Sequence, residues 1–290
     1  MQALKFSEDF IRGGGDLLDT CCKGIENVHR GLRETQTSIS DIEIELLYNG
    51  DFIKLHPYKY LGIFFSFIHN SYVEKFGDLV GEVISSVNSK QYLVTALCGR
   101  SIVESTATLR YYNNAVFKKV TISNTRDLEG IDVKFFNDAL ELATKHMHGS
   151  SMNWGQFFTS DTKTFVKDLV EKEKARLKKE KPKGVDYVQS IPIARALDSW
   201  FDEEPELVAL AYNFFSELVH PNLGSNLLLL GVSDGKVQSG KASNRALGKT
   251  ICREAVKYLA PCLKEAMNQL ANSIILSSIG NELPPNKPLH

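Results

Sequence analysis

Neither sign of charge dominates this sequence. There are 34 basic and 35 acidic side chains among 290 residues, a formal net charge of −1. That balance excludes a polybasic nucleic-acid coat and an acidic tail protein. Cysteine is scarce and has no pairing pattern. Cys21, Cys22, Cys98, Cys252 and Cys262 are odd in number and include no C-x-x-C spacing. A disulfide framework and a structural zinc site are thereby excluded, and reduced thiols in a cytoplasmic protein are expected. No apolar run approaches the ~18 residues needed to cross a bilayer. The strongest, Tyr60 to Ile68, stops at His69 and Asn70 and is placed in a buried helix, so no membrane contact is expected. The first nine residues lack the apolar stretch of a signal peptide. There is no repeat of 20–50 residues, no G-x-S-x-G and no H-E-x-x-H.

What is present is helical periodicity. A chain of this size removes ~75% of its unfolded surface on folding, so no staples are needed. Apolar residues recur at three- and four-residue spacing, which predicts helices near 15–35, 57–87, 90–117, 131–147, 163–180, 186–200, 205–220 and 244–277. Gly13, Gly14 and Gly15 cannot propagate a helix cheaply, so one is expected to begin after them. Ser160 or Asp161, and Ser243, are candidate caps. Pro205 suits a first helical turn, with Asp202, Glu203 and Glu204 at its positive end. Strand signals occur at Lys118 to Ser123, and at Asn226 to Gln238, where Ser233 to Lys236 reads as a hairpin turn. The expected architecture is all-α, a multi-helix bundle with a small β-hairpin insertion. It is read as one domain over 1–279, with possible substructure at 1–120 and 131–279. The last residues, 280–290, carry three prolines and read as an unstructured tail. Glu171 to Lys183 holds seven Lys/Arg and three Glu, which reads as a solvated helix face, or as a phosphate-contacting patch.

Two helices stand out for how few charges they carry. From Gln91 to Leu109 the charged residues are Arg100 and Glu104, four apart and hence on one face. Leu93, Val94, Ala96, Leu97, Ile102, Val103 and Ala107 around them describe a helix buried nearly all round. Buried charges are costly unless paired. Arg before Glu is also the weaker order for a helical pair, so local helix stabilisation is a poor reason for these two residues. From Leu207 to Leu230 the ionisable groups are Tyr212, Glu217 and His220. Ser216 and His220 share a face, and Pro221 ends the helix by pushing its predecessor out of the α region. His220 is thereby left where free carbonyls favour imidazolium, before a polar turn that holds Asn222 and Gly224. One reading is a buried network that fixes the register of two helices. The other is a polar site in which Arg100 holds an anion such as phosphate, Glu104 orients it or the imidazole, and His220 transfers the proton.

The pattern Arg100-Ser101-x-x-Glu104, followed by Tyr212-x-x-x-Ser216-Glu217-x-x-His220-Pro221-Asn222, resembles bacterial all-helical proteins similar to the HEPN (higher eukaryotes and prokaryotes nucleotide-binding) bundles. The resemblance covers two short stretches. It implies a bundle that often dimerises and that acts in toxin–antitoxin or antiviral systems as a metal-independent ribonuclease. RNA or nucleotide would be its ligand, His220 and Glu104 the catalytic groups, and Arg100, Tyr212, Ser216 and Asn222 the ligand-binding ones. One departure bears on activity. Nuclease members carry an arginine and, four to six residues later, a histidine on a single helix, and no histidine here has one. If Arg100 serves, it comes from another helix, which favours a non-nuclease branch.

Other patterns are set aside. Gly235 to Ala242 nearly matches G-x-x-x-x-G-K-[ST], but Ala242 replaces the magnesium-binding hydroxyl and the flanks read as a hairpin. Glu26-x-x-His29 and Glu217-x-x-His220, with Glu104, could contribute to a di-iron centre. His29, however, lies in a charged stretch that reads as exposed. His146 and His148 do not share a helix face. No cofactor or metal is expected. A non-enzymatic interaction module with a structural polar cluster, binding a protein partner or a second copy, is the alternative reading.

Overall fold

A computed structural model of the chain describes residues 4–35, 39–47, 49–122, 193–220, 230–233, 236–239 and 244–282. Over these residues the architecture is an all-α helical bundle, in the order α1 (Glu8–Ile11), α2 (Gly15–Glu34), α3 (Asp41–Leu46), α4 (Gly50–Leu55), α5 (Pro57–Asn88), α6 (Tyr92–Ile122), α7 (Ile193–Phe201), α8 (Pro205–Val219) and α9 (Asn244–Glu282). The segments Leu230–Ser233 (β1) and Lys236–Ser239 (β2) pair antiparallel, with Leu230 opposite Ser239 and Ser233 opposite Lys236. Among the described residues no helix is long and apolar enough to cross a membrane.

The described segments fall into two compact units. One is drawn from Met1–Gln36, Ser71–Arg110 and Ala196–Leu270, the other from Thr37–Asn70, Tyr111–Arg195 and Ala271–His290. In the first, α2, α5, α6, α8 and α9 bury Leu18, Ile25, Val80, Ile84, Ile102, Phe215 and Leu259. Full burial of such a side chain contributes about 1.5–3 kcal/mol. Helices α5 and α6 meet through Ser86 Oγ and Thr95 Oγ1, 2.8 Å apart. The second unit buries Tyr60, Phe64, Phe65 and Ile68 of α5. There Ser273 donates to Asn113 Oδ1 at 3.2 Å, and Arg195 lies 5.7 Å from the Tyr111 ring centre.

Several expectations need correction. Lys118 to Ile122 continue α6 and do not form a strand. β-branched residues lose less than ~1 kcal/mol each in a helix, and each residue added to an existing helix gains a hydrogen bond. Helix α9 runs through Gly280 to Glu282, three residues into the expected tail, and it passes Pro261, whose ring nitrogen cannot bond the Lys257 carbonyl. Helix α7 begins at Ile193, with 186–192 outside the described residues, as are the helices expected at 131–147 and 163–180 and the Glu171–Lys183 stretch. His29 is buried at 6% exposure, because the missing side chain of Gly81 leaves room for its ring. Leu93 and Leu97 are 39% and 52% exposed, so α6 is not buried all round. It presents one open stripe, and Arg100 and Glu104 lie on it.

Candidate functional site

Helices α6 and α8 can approach closely because position 99 is glycine. A side chain there would overlap the ring of Phe215, which is fully buried against the α6 backbone. The next residue on each helix is a site residue, Arg100 on α6 and Ser216 on α8. Helix α8 starts on Pro205, whose missing N–H is one that a first turn leaves unbonded in any case. It ends at His220, whose φ of −74° and ψ of 144° are the extended values expected before proline. The His220 amide still donates to the Ser216 carbonyl at 2.9 Å.

Arg100 gathers the site. Its Nε donates to Glu104 Oε1 at 2.8 Å, one turn along the same helix. Its Nη2 donates to the Tyr212 hydroxyl at 3.3 Å, and its guanidinium carbon lies 5.5 Å from the Tyr212 ring centre. Its Nη1 lies 3.3 Å from His220 Nε2. A guanidinium only donates, so a hydrogen bond between the two requires Nε2 to be the acceptor. The side chains of Arg100 and Glu104 are 25% and 28% exposed, so this is a partly open pair. The bonded Glu104 carboxylate raises the guanidinium above its ordinary pKa.

Four of the expected site residues, Arg100, Glu104, Tyr212 and His220, thus meet in one contact network. Ser216 lies between Tyr212 and His220 on the same face of α8, at four-residue spacing. Its Oγ is buried and has no hydrogen-bond partner among the described residues. Leaving such a hydroxyl unmatched costs about 1–3 kcal/mol. Asn222 lies outside the described residues.

Three further residues on the helices around the site were not read from the sequence. Gly99 is one, and an isolated glycine inside a helical apolar pattern was the available signal. Lys75 of α5 is the second. It is exposed as a residue, yet crowding by protein lowers its ammonium from the ordinary value, and the charge of Glu104 acts in the opposite direction. Its Nζ lies 5.9 Å from the Tyr72 ring centre. Arg110 is the third, one residue beyond the charge-poor window. Its side chain is 8% exposed and bonds Glu203 at 2.5 Å and Glu265 at 3.0 Å.

The di-iron alternative has no assembled ligand set among the described residues, where no group of three or more His, Cys, Asp or Glu could hold a metal. Glu26 instead accepts the Phe6 amide at 2.8 Å. Four of the five thiols, Cys21, Cys22, Cys252 and Cys262, are built into the core, and Cys98 is partly exposed. Burial pushes Cys22 and Cys262 up to about 12 and Cys252 up to about 11. Fold and site together define an all-α bundle with an arginine-centred polar cluster on an open helix face. No family model, curated protein or solved structure matches the chain.

Proposed function

We propose that this chain is an RNA- or nucleotide-directed helical-bundle protein of the HEPN-like kind, working in a toxin or antiviral defence system and able to pair with a second copy. The observation that carries the reading is the contact between Arg100 and His220 across two helices. The expected family pattern places arginine and histidine on one helix, and here two helices supply them. Arg100 would hold a phosphate through its outer nitrogens, with Glu104 fixing the guanidinium from behind. A phosphate that takes Nη1 releases the His220 Nε2 lone pair, which can then accept a proton from a ribose 2′-hydroxyl. The β1–β2 pair is read as a hairpin inserted between α8 and α9, and the site is read as a cytoplasmic one.

The test is incubation with labelled single-stranded RNA without added metal. Wild-type protein is expected to bind it, and any cutting is expected to depend on His220. His220→Ala should bind without cutting, and its far-UV circular dichroism and unfolding midpoint should be preserved. Wild-type protein that neither binds nor cuts RNA or nucleotides overturns the reading. The interaction-module reading is favoured by one feature, that Arg100 already has three partners within the protein. Under it, loss of the imidazole unlocks α6 from α8. His220→Ala would then lower the midpoint by roughly 8 °C, at about 2–4 °C per kcal/mol for domains near this size.

A further inference from the structure

Hydroxyl side chains inside helices have a default partner, the carbonyl one turn back. Thr95, Thr106, Thr108 and Ser278 use it, at 3.2, 2.8, 2.8 and 3.1 Å. Ser216 does not. The residue is 9% exposed, and its Oγ is buried without a partner among the described residues. Buried polar atoms in native proteins are matched with few exceptions, and an exception calls for a reason. Tyr212, Ser216 and His220 share one face, and Arg100 bonds the first and the last. The guanidinium therefore spans two turns of α8, and the middle position of that span is the unmatched serine.

Arg100 itself is held asymmetrically. Its Nε contact with Glu104 is 2.8 Å, the usual length for a charge-assisted bond. Its two outer contacts, to His220 Nε2 and the Tyr212 hydroxyl, are 3.3 Å each, and neither is to a carboxylate. The inner edge is fixed and the outer edge is exchangeable. That outer edge is a planar two-nitrogen fork, the geometry that matches phosphoryl oxygens. Lys75 of α5 adds a second cation within electrostatic range of Glu104.

We propose that the Tyr212–Ser216–His220 face of α8 is a subsite for a single phosphoryl group, with one non-bridging oxygen accepting the Ser216 hydroxyl and two others accepting the outer N–H groups of Arg100. This rests on the reading of the face as a phosphate-recognising site and names the contact that selects the ligand. A planar carboxylate seated on the fork has no oxygen outside the fork's plane. A phosphate or phosphomonoester has a third non-bridging oxygen to offer the serine.

The experiment is calorimetric titration of the full chain with inorganic phosphate at constant ionic strength, with acetate as the control. Wild-type protein is expected to saturate with phosphate and not with acetate. Ser216→Ala should weaken phosphate at least tenfold, while its unfolding midpoint without phosphate is unchanged or higher, because the unmatched hydroxyl is gone. Arg100→Lys, which keeps the charge and loses the fork, should weaken it as much. Wild-type protein that binds no phosphate overturns the proposal, as does Ser216→Ala that binds it like wild type. Adenosine monophosphate and a short RNA carrying a 5′-phosphate, titrated in parallel, identify the source of the group, since an internal phosphodiester has only two non-bridging oxygens. Phosphate binding that depends on Ser216 without RNA binding or cutting leaves this subsite standing and removes the RNA reading. RNA binding indifferent to Ser216→Ala does the reverse.

Discussion

Helix α6 carries two arginines ten residues apart that are used in opposite ways. Arg110 is 8% exposed and sits between two carboxylates, with Glu265 also bonded by Gln269 at 2.7 Å and by Asn268 at 3.2 Å. Arg100 is 25% exposed and has one carboxylate partner and two others, Tyr212 and His220, on either side of Ser216 along α8. Two carboxylates fix the first through its Nε and Nη2, while its Nη1 is buried and unmatched among the described residues. The second is fixed on one edge and available on the other. The difference separates an arginine that holds helices together from one that can hold a ligand. Burial alone does not decide it, since both are at least partly buried. The number of carboxylates and the length of the outer bonds do.

The largest expected effect lies at the buried centre. Arg110→Ala leaves Glu265 charged, 14% exposed and without its cation. Removing one partner of a buried pair costs about 3–5 kcal/mol. Glu203, at 42% exposure, can turn to water, which places this case at the lower end, near 3 kcal/mol. Chemical denaturation should show the loss, and Arg110→Met combined with Glu265→Gln should recover most of it. An Arg110→Ala protein as stable as wild type would erase the distinction between the two arginines. Next in size is Gly99→Ala. Its methyl group would overlap the Phe215 ring, an overpacking that costs about 1–3 kcal/mol. It should also weaken ligand binding, because spreading α6 from α8 carries Arg100 away from Tyr212 and His220. A variant that gains stability, as Gly→Ala does in an open helix, would show that the close approach is not what places the site.

The long helices were legible because several turns of apolar periodicity repeat the same message. That holds for 57–88, 205–219 and 244–282. Helices α3 and α4 have six residues each and too few turns to show a period. Their starts are written in caps instead. Ser40 and Glu43 form a reciprocal capping box, and Asn49 accepts the amides of Asp51 and Phe52. The spacing Ser-x-x-Glu was there to be read. Arg100, Glu104, Tyr212 and His220 were legible because charge is conspicuous in an apolar helix. Gly99 and Lys75 were not, since their roles depend on which helix lies opposite. Leu93 and Leu97 were misread for the same reason, because hydrophobicity does not say which side of a helix finds a neighbour.

A smaller stability effect is expected at the open centre. Arg100→Ala should change the unfolding free energy by about 1 kcal/mol or less, as for a partly exposed ion pair. The same change should abolish phosphate binding. The contrast with Arg110→Ala, large on stability, is the sharpest form of the comparison. If Arg100→Ala unfolds the protein as readily, the polar cluster is a structural lock and the interaction-module reading takes its place.

The smallest effect is read from two thiols, one near each arginine. Cys98, two residues before Arg100, is partly exposed, and burial and Glu82 raise its thiol above the ordinary value. Cys262 is fully buried beside the Arg110 centre, and burial, reinforced by Glu204, pushes it up to about 12. The thiolate is the reacting species, so both should label slowly with an aromatic disulfide near pH 8. Cys98 should label first, through small local motions on the open stripe of α6. Cys262 needs the helices to part, so its rate should follow the opening equilibrium of its surroundings. Arg110→Ala is then expected to speed labelling of Cys262 in proportion to the stability lost, at about tenfold per 1.4 kcal/mol, and to leave Cys98 nearly unchanged. Mass spectrometry after digestion assigns the label to each cysteine. Equal acceleration at both positions would mean that the two centres open as one cooperative unit, and that the difference between the arginines is local chemistry without a difference in local stability.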